Sequence, residues 1–259
     1  MRIATWNING VKARIDNLVH WLREAQPDVV CLQEVKSIDD AFPAEPIEEL
    51  GYNIAVHGQK GFNGVALLSK YPLEDVRRGL PNDERDDQAR FITAAVSTEG
   101  GIVRIASAYM PNGNPIGSDK FTYKLAWLRR VEDWVRAELI SEETLLMGGD
   151  FNIIPEPIDA MNPEVWVADA LFQPESRAAF RRLSALGLID AVRAVDVGGG
   201  IYTFWDYQAG AWQKNNGIRI DFLMLSPEAA DRLVEAGVDR HVRAWEKPSD
   251  HVPVWIELR

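Results

Sequence analysis

The chain of 259 residues is 46% hydrophobic and carries 39 acidic and 28 basic residues, which give a formal net charge of −11. Its length permits a substantial core, and no run approaches the ~20 apolar residues that cross a bilayer, which excludes a membrane-spanning helix. On bulk electrostatics the charge disfavours a nucleic-acid partner, although a localised basic face would still act on phosphates within a Debye length of about 8 Å.

The first residues of the chain and its single cysteine indicate a cytoplasmic protein. Residues 2–8 form a strand-like segment in place of the sustained apolar run of a signal peptide. The single cysteine, Cys31, lies in the apolar run Val29–Leu32, so it has no partner for a disulfide within the chain. We therefore expect a buried thiol and a reducing compartment.

Short β-type apolar runs recur along the chain and predict strands in both halves. They are Ile3–Trp6, Val29–Gln33, Val65–Ser69, Phe91–Val96, Val103–Tyr109, Thr144–Gly148, Ile220–Leu225 and Val252–Leu258. Few helices alternate with them, and some strands follow one another through tight turns such as residues 61–64. This order favours mixed sheets with helices packed outside over a purely parallel α/β fold.

Three helices are predicted by apolar spacing and by capping residues. The first covers Val11–Leu22 and stops before Pro27, the second covers Phe121–Val135 after the N-cap Ser118, and the third begins at Ser226–Pro227.

Two segments predict loops, a charged one at residues 80–87 and a proline-punctuated one at residues 155–174. Neither has the composition of a linker, and the chain contains no repeat. We therefore expect residues 1–259 to form one domain, and a monomer.

Polar clusters lie at the ends of the predicted strands, where a sheet delivers side chains to an edge crevice. They are Asn7–Gly10, Gln33–Glu34, Tyr109–Gly113, Gly149–Asn152 and Ser249–His251. A further carboxylate, Asp221, lies inside an apolar strand, where an unpaired charge would cost several kcal/mol. It therefore needs a partner, for which the imidazolium of His251 is an obvious candidate.

The chemistry of these clusters favours hydrolysis of a phosphodiester by water. Carboxylates and carboxamides select hard cations, so Mg²⁺ or Mn²⁺ is favoured over zinc. The sequence lacks a Gly-x-Ser-x-Gly nucleophile motif and a phosphate-binding loop. Hydrolysis of a phosphate ester can require about 20 kcal/mol of acceleration, whereas one general base supplies about 3 to 5 kcal/mol, so several groups must act together.

Seven segments in order resemble the bacterial exonuclease III family of the endonuclease, exonuclease and phosphatase superfamily. They are Trp6–Gly10, Leu32–Lys36, Asn63–Ala66, Ala89–Phe91, Gly149–Asn152, Gly217–Asp221 and Lys247–His251. The resemblance implies a four-layer α/β sandwich, with two mixed β-sheets packed face to face and helices outside. It also implies a magnesium-dependent DNA-repair enzyme that incises duplex DNA 5′ to abasic sites, has 3′-to-5′ exonuclease activity and trims blocked 3′ ends.

The resemblance also implies the metal ligands and the residue that activates water. Glu34 would be the main metal ligand, with Asn7 close by and Asp250 contacting the metal in some states. Asp150 would orient or deprotonate the attacking water.

Phosphate contacts follow from the same resemblance. Asn152, His251 and Tyr109 would contact oxygens of the scissile phosphate, and Asp221 would hold the imidazole as the carboxylate of a triad does. Asn112 would contact the DNA backbone.

The resemblance further implies a leaving-group lysine and an apolar pocket. Lys124 corresponds to a family lysine near the leaving group, and Phe204 and Ile220 would line a pocket for a flipped abasic sugar. Some relatives have tryptophan where this chain has Phe204, which affects the shape of the pocket.

Other side chains are predicted to contact DNA from loops. Trp212 lies in such a loop, whereas Arg90 and Arg219 are either DNA contacts or ion-pair scaffolding. The predicted basic face consists of Lys12, Arg14, Lys36, Lys60 and Lys214.

Two other functions remain open from the sequence. One is a hydrolase of the same superfamily that acts on RNA tails, inositol phosphates or sphingomyelin. The other is a catalytically inactive DNA-binding scaffold.

Overall fold

The computed structural model describes residues 1–81 and 86–259, so residues 82–85 of the predicted charged loop lie outside the described residues. The strands are β1 (Arg2–Asn7), β2 (Val29–Gln33), β3 (Asn53–His57), β4 (Val65–Ser69), β5 (Glu74–Arg78), β6 (Phe91–Thr98), β7 (Gly101–Tyr109), β8 (Thr144–Asp150), β9 (Ile189–Asp190), β10 (Asp221–Leu225), β11 (Leu233–Val238) and β12 (Val254–Leu258). The α-helices are α1 (Ile15–Ala25), α2 (Glu45–Glu48), α3 (Asp119–Glu138), α4 (Pro174–Ala185), α5 (Ala191–Val195) and α6 (Pro227–Ala230). Short 3₁₀ helices cover Lys12–Arg14, Asp39–Ala41, Leu139–Ser141, Pro157–Asp159, Pro163–Trp166 and Arg240–Ala244.

The strands form two mixed sheets of six strands each. The first has the order β11-β12-β1-β2-β4-β3, and the second has the order β5-β6-β7-β8-β10-β9. The pairs β1–β2 and β7–β8 are parallel, and the other neighbouring strands of the described chain are antiparallel. Every strand predicted from the sequence is present, and the prediction of mixed sheets is confirmed.

Three apolar clusters give the molecule four layers. The largest fills the space between the sheets and contains Cys31, where burial raises the pKa of the thiol to about 12. A second lies between the second sheet and helices α3 and α4, and a third lies between the first sheet and α1. The predicted four-layer α/β sandwich is therefore confirmed.

The helices start and stop for local reasons. Helix α1 ends where Gln26 adopts a left-handed conformation before Pro27, as predicted. Helix α3 begins after Ser118, but the hydroxyl of Ser118 donates to the Pro115 carbonyl oxygen at 2.6 Å instead of capping the helix. Helix α6 has the predicted cap, because the Ser226 hydroxyl accepts from the Ala229 amide.

The two parallel pairs bring the polar clusters to one edge of the molecule. Asn7 pairs with Gln33 at the ends of β1 and β2, so Glu34 follows directly beside Asn7. Tyr109 pairs with Asp150 at the ends of β7 and β8, and Asp221 pairs with Asp150 at the start of the antiparallel β10. Both sheets thus deliver side chains to the same crevice.

Within the described residues, no helix is both long and apolar enough to span a membrane.

Candidate active site

The Glu34 carboxylate contacts hydrogen-bond donors from three segments of the chain. Asn7 Nδ2 and the Tyr109 hydroxyl donate to its Oε1 at 3.0 and 2.8 Å, and the Lys36 ammonium lies 2.9 Å from its Oε2. Burial alone would raise the pKa of Glu34, but the hydrogen bond from Asn7 and the charge of Lys36 outweigh it and hold the pKa below its usual range. Glu34 is therefore an ionised carboxylate, and such a group has about four acceptor positions for these three donors.

Asp150 lies at the centre of the site and is 1% exposed. Its Oδ2 accepts from Asn7 Nδ2 at 2.9 Å, and its Oδ1 accepts from the backbone amide of Asn152 at 2.9 Å. The preceding position, Gly149, requires glycine, because a Cβ there would collide with the carbonyl oxygen of Ala108 on β7. This close approach of β7 and β8 fixes the position of the carboxylate.

His251 is oriented by a carboxylate on each side. Its Nδ1 lies 2.9 Å from Asp221 Oδ2, and its Nε2 lies 3.7 Å from Asp150 Oδ2. The hydroxyl of Thr203 donates to Asp221 Oδ2 at 2.6 Å and accepts from the backbone amide of Asp221 at 3.2 Å. The buried Asp221 thus has the imidazole partner that the sequence predicts.

The protonation states of His251 and Asp150 depend on burial and on the charge that each places beside the other. Burial alone would lower the pKa of His251, but the negative charges of Asp221 and Asp150 outweigh it and raise the pKa. Burial raises the pKa of Asp150, and the charge of His251 offsets this in part. The result is an imidazolium beside a carboxylate whose basicity is increased.

Tyr109 is a neutral donor in this setting. Burial and the charges of Glu34 and Asp150 raise the pKa of its hydroxyl well above the usual value. The Arg90 guanidinium lies 4.8 Å from the centre of the Tyr109 ring and donates to the carbonyl oxygens of Tyr109 and of the Gln88 side chain. Arg90 thus holds the tyrosine in place.

Several residues of the site have a left-handed backbone. Asn9, Glu34, Lys36 and Asn152 have φ values of 48°, 50°, 52° and 49°, which are uncommon for residues other than glycine. Such conformations cost of order 1–3 kcal/mol each and cluster at functional sites. They turn the chain sharply where the strands end.

Two sets of side chains near Asp150 could be considered as metal ligands, and a spacing suited to a metal ion is seen for one of them. Atoms of Asp150, Asp221 and His251 lie within 4.8 Å of one another. His251 and Asp221 are paired with each other, and a cation on this side would have to replace that bond and would meet the charge of the imidazolium. Glu34 is also paired, but its partner at Oε2 is the cationic Lys36 ammonium, so this oxygen is already placed against positive charge. The oxygen-rich Glu34 side therefore fits a hard divalent cation better.

Asn112 and Asp250 lie at the rim of the site. The exposed Asn112 donates from Nδ2 to Asn152 Oδ1 at 3.2 Å. Asp250 Oδ1 accepts from Asn9 Nδ2 at 3.0 Å, and Asn9 Oδ1 accepts from Lys36 at 2.5 Å. Asp250 is therefore joined to Glu34 through Asn9 and Lys36.

The structure buries two of the predicted DNA contacts. Lys124 is fully buried, donates to the carbonyl oxygens of Asn112 and Asn152 at 3.0 and 2.6 Å, and has its pKa lowered by burial to about 7. Arg219 is 2% exposed and pairs with Asp159 at 2.8 Å and Asp190 at 2.7 Å. The structure thus does not present either side chain to a ligand, and for Arg219 it favours the ion-pair interpretation.

The predicted pocket residues pack beside the imidazole. The Phe204 ring lies 4.9 Å from the His251 ring, edge to face. Ile220 belongs to an apolar cluster that also contains Ile154, Ala160, Leu171 and Ile218, with Phe204 packed against it. Trp212 is half-buried against Trp205, at a distance of 4.9 Å between the rings.

Sequence analysis does not identify Thr203 as part of the site. No motif marks this residue, and its role depends on contacts with Asp221, 18 positions later. Lys36, predicted in the basic face, is paired with Glu34.

Comparisons with known proteins agree over the whole chain. The model of the Endonuclease/Exonuclease/phosphatase family matches residues 4–251. Exodeoxyribonuclease III of Haemophilus influenzae is 37% identical over 267 aligned positions, which cover 100% of both chains.

Solved structures give the same result. The 3′ phosphatase NExo from Neisseria, bound to a product DNA hairpin, has a TM-score of 0.96 and 38% identity, covering 100% of this chain and 99% of that one. An AP endonuclease from Archaeoglobus fulgidus has a TM-score of 0.94 and 34% identity, with the same coverage.

Proposed function

Because the chain belongs to the Endonuclease/Exonuclease/phosphatase family, we propose that it is a DNA-repair phosphodiesterase that incises duplex DNA 5′ to abasic sites and trims 3′ ends. The observation that carries this proposal is the convergence of Glu34, Asp150 and His251 at one edge of the two sheets. Asn7 links the first two, and His251 Nε2 lies 3.7 Å from Asp150.

Asp150 orients the attacking water and accepts its proton. Its raised pKa brings it closer to the operating pH, where a general base is most effective. The backbone amide of Asn152 and the side chain of Asn7 fix the carboxylate in one orientation. Water held against this carboxylate is therefore positioned for attack.

His251, Asn152 and Tyr109 bind the oxygens of the scissile phosphate. Because Asp221 occupies Nδ1, the Nε2–H of His251 is left to donate to a phosphate oxygen. The Asn152 amide donates to the Met110 carbonyl oxygen at 2.9 Å and to Asp150 Oδ2 at 3.3 Å, and the Tyr109 hydroxyl donates to Glu34 at 2.8 Å. Each of these two side chains adds a neutral donor to the phosphate by exchanging one of these hydrogen bonds. The Nε2–H of His251 is the preorganised donor, and such donors stabilise the charge that develops in the transition state.

The family is metal-dependent, and we assign Mg²⁺, with Mn²⁺ as a substitute, to Glu34, Asn7 and Asp250. Asn7 Oδ1 accepts one hydrogen bond, from the amide of Asn9 at 3.0 Å, and retains a lone pair for a cation. When bound, the ion supplies positive charge that stabilises the phosphate as negative charge develops on it.

The remaining predicted residues bind or support the DNA-facing surface. Asn112 contacts the DNA backbone, and Phe204 and Ile220 form the apolar wall against which an abasic sugar packs. Lys124 supports the phosphate-binding loop, since it ties the carbonyl oxygens of Asn112 and Asn152 together.

One chain is sufficient for this activity in our proposal. The site draws side chains from both sheets, which supports residues 1–259 as one domain acting as a monomer. Its partner is double-stranded DNA that contains abasic sites or blocked 3′ ends.

Incubation of the protein with a duplex oligonucleotide that contains one abasic analogue tests this function. We expect incision 5′ to the lesion, with a 3′-hydroxyl product, in Mg²⁺ or Mn²⁺, and no incision in EDTA. A duplex with an intact base at the same position is the control.

Other members of the superfamily act on other phosphate esters. Hydrolysis of an inositol phosphate or a phospholipid, without incision of the abasic duplex, would overturn the DNA assignment. DNA binding without hydrolysis of any substrate would instead indicate an inactive scaffold.

A further inference from the structure

Two arginines and two aromatic side chains form a cluster beside the site, which we call the arginine–aromatic face. The Arg240 guanidinium carbon lies 5.1 Å from the centre of the Trp212 ring. The Arg243 guanidinium carbon lies 5.0 Å from the Tyr207 ring and 5.9 Å from the Trp212 ring. The aromatic rings thus hold both guanidinium groups through cation–π contacts.

Among the residues that the structure describes, no carboxylate forms an ion pair with either arginine of this face. Within the described part of the chain, no Asp or Glu oxygen lies within 4.0 Å of Arg240 or Arg243. Arg240 is exposed and donates to the Asn215 side chain at 2.8 Å, whereas Arg243 is 6% exposed and donates to the Trp205 carbonyl oxygen at 3.0 Å. The carboxylates of Asp206 and Asp250 are close enough to interact with the charge of Arg243, but neither forms an ion pair with it.

The Nε of Arg243 adds a second sign of an unfilled site. This buried nitrogen has no hydrogen-bond partner in the described chain. Buried polar groups are nearly always paired, so this guanidinium keeps an unused donor, which an anion reaches only when the side chains that cover it move.

The arginine–aromatic face is continuous with the catalytic residues. The Trp205 amide donates to the Asp250 carbonyl oxygen at 2.9 Å, and the Tyr207 hydroxyl donates to the Pro248 carbonyl oxygen at 2.8 Å. Arg14 donates to the Tyr207 hydroxyl at 3.1 Å and brings a third cation to the margin of the face.

Positive charge predominates on this surface, although three acidic residues are nearby. Exposed Lys214 lies in the same loop as Trp212 and donates to the Ala209 carbonyl oxygen at 2.9 Å. The acidic neighbours are Asp206, which accepts from the Gln208 amide, Asp250, which accepts from Asn9 Nδ2, and the highly exposed Glu246, which faces Lys247 at 3.8 Å.

We propose that the arginine–aromatic face binds phosphates of the DNA strand beside the position that is cut. This inference rests on the proposed function and locates the basic region that an acidic DNA-binding protein needs. Guanidinium groups match the geometry of phosphate oxygens, and the rings preorganise them, so less side-chain entropy is lost on binding. The face contributes to the binding of the duplex and leaves the chemical step to the catalytic residues.

Arg240→Gln tests the proposal, because the side chain is exposed and its loss should leave the fold intact. We expect KM for an abasic duplex to rise about tenfold, with kcat within twofold of the wild type, and the slope of log affinity against log salt to fall by about 0.9. Arg240→Lys should restore part of the affinity and the salt slope. Arg23→Gln, which removes an exposed arginine from the last turn of α1, is the matched control and should change neither quantity.

Shortening the duplex in steps from either end gives an independent check. The effect of Arg240→Gln should disappear at the length at which the DNA no longer reaches the face. Arg243→Lys, with its thermal unfolding measured alongside, should give a smaller change in the same direction.

The outcomes separate this inference from the proposed function. If the wild type incises the duplex and Arg240→Gln leaves KM and the salt slope unchanged, the arginine–aromatic face does not bind phosphates, and the proposed function still stands. A wild type that incises no DNA would overturn the proposed function itself.

Discussion

Replacement of Asp150 by asparagine should lower kcat for abasic incision by about 10³-fold or more, while the affinity for DNA stays within a few-fold of the wild type. The amide has the shape of the carboxylate but cannot accept the proton of the attacking water. A general base contributes about 10²–10⁴-fold to a rate, and the loss of negative charge beside His251 also disturbs the phosphate-binding donor. Single-turnover incision and equilibrium DNA binding measure the two effects separately.

Asp40→Asn is the control for this variant, because Asp40 is an exposed aspartate outside the site. It should leave both the rate and the affinity unchanged. An equal loss of binding and rate in Asp150→Asn would contradict its role in activating water, since a residue that acts in the chemical step lowers kcat selectively.

Replacement of His251 by alanine should lower kcat by about 10²–10³-fold, because a preorganised donor to the phosphate oxygen is lost. Asp221→Asn should have a smaller effect, and the double variant should be little worse than His251→Ala alone. Residues that act as a unit are not additive, and Asp221 acts through the ring that it holds at 2.9 Å.

His20→Ala is the matched control, since His20 is exposed on α1 and its removal should not change the rate. Thermal unfolding of each variant shows whether the fold is intact, because Asp221 is buried and loses a partner in His251→Ala. Additive losses in the double variant would show that the two residues act independently.

The strands that can be predicted from the sequence are those in the interior of the sheets. Strands β3, β5, β9 and β11, which apolar runs do not predict, all lie at sheet edges. The clearest case is β5, where Glu74–Arg78 contains charged side chains and is mostly exposed. Edge strands carry charges that prevent pairing with other chains, and this removes the apolar pattern on which prediction depends.

Helix α4 was not predicted for a different reason. Two of its buried side chains, Ser176 and Ala179, are small, and the other two are Phe180 and Leu183. The three-and-four spacing of large apolar residues is therefore weak in this segment. Pro174, which begins the helix, is also typical of the end of a loop.

The candidate site could be predicted as a set of residue types but not as a geometry. Strand ends and the resemblance identify Glu34, Asp150 and His251, whereas the burial of Lys124 and Arg219 depends on partners far away in sequence. Both lysine and arginine are usually exposed, so sequence analysis places them on the surface. Only the three-dimensional structure identifies the partners that stabilise Lys124 and Arg219 in buried positions.

Incision of an abasic duplex in ¹⁸O-labelled water is the most direct measurement of the central claim, that water attacks phosphorus at a site built around Asp150. We predict one ¹⁸O atom in the 5′-phosphate of the abasic fragment, an unlabelled 3′-hydroxyl on the other fragment, and no product in EDTA. An unlabelled phosphate, or an unsaturated sugar from β-elimination, would contradict hydrolysis at phosphorus.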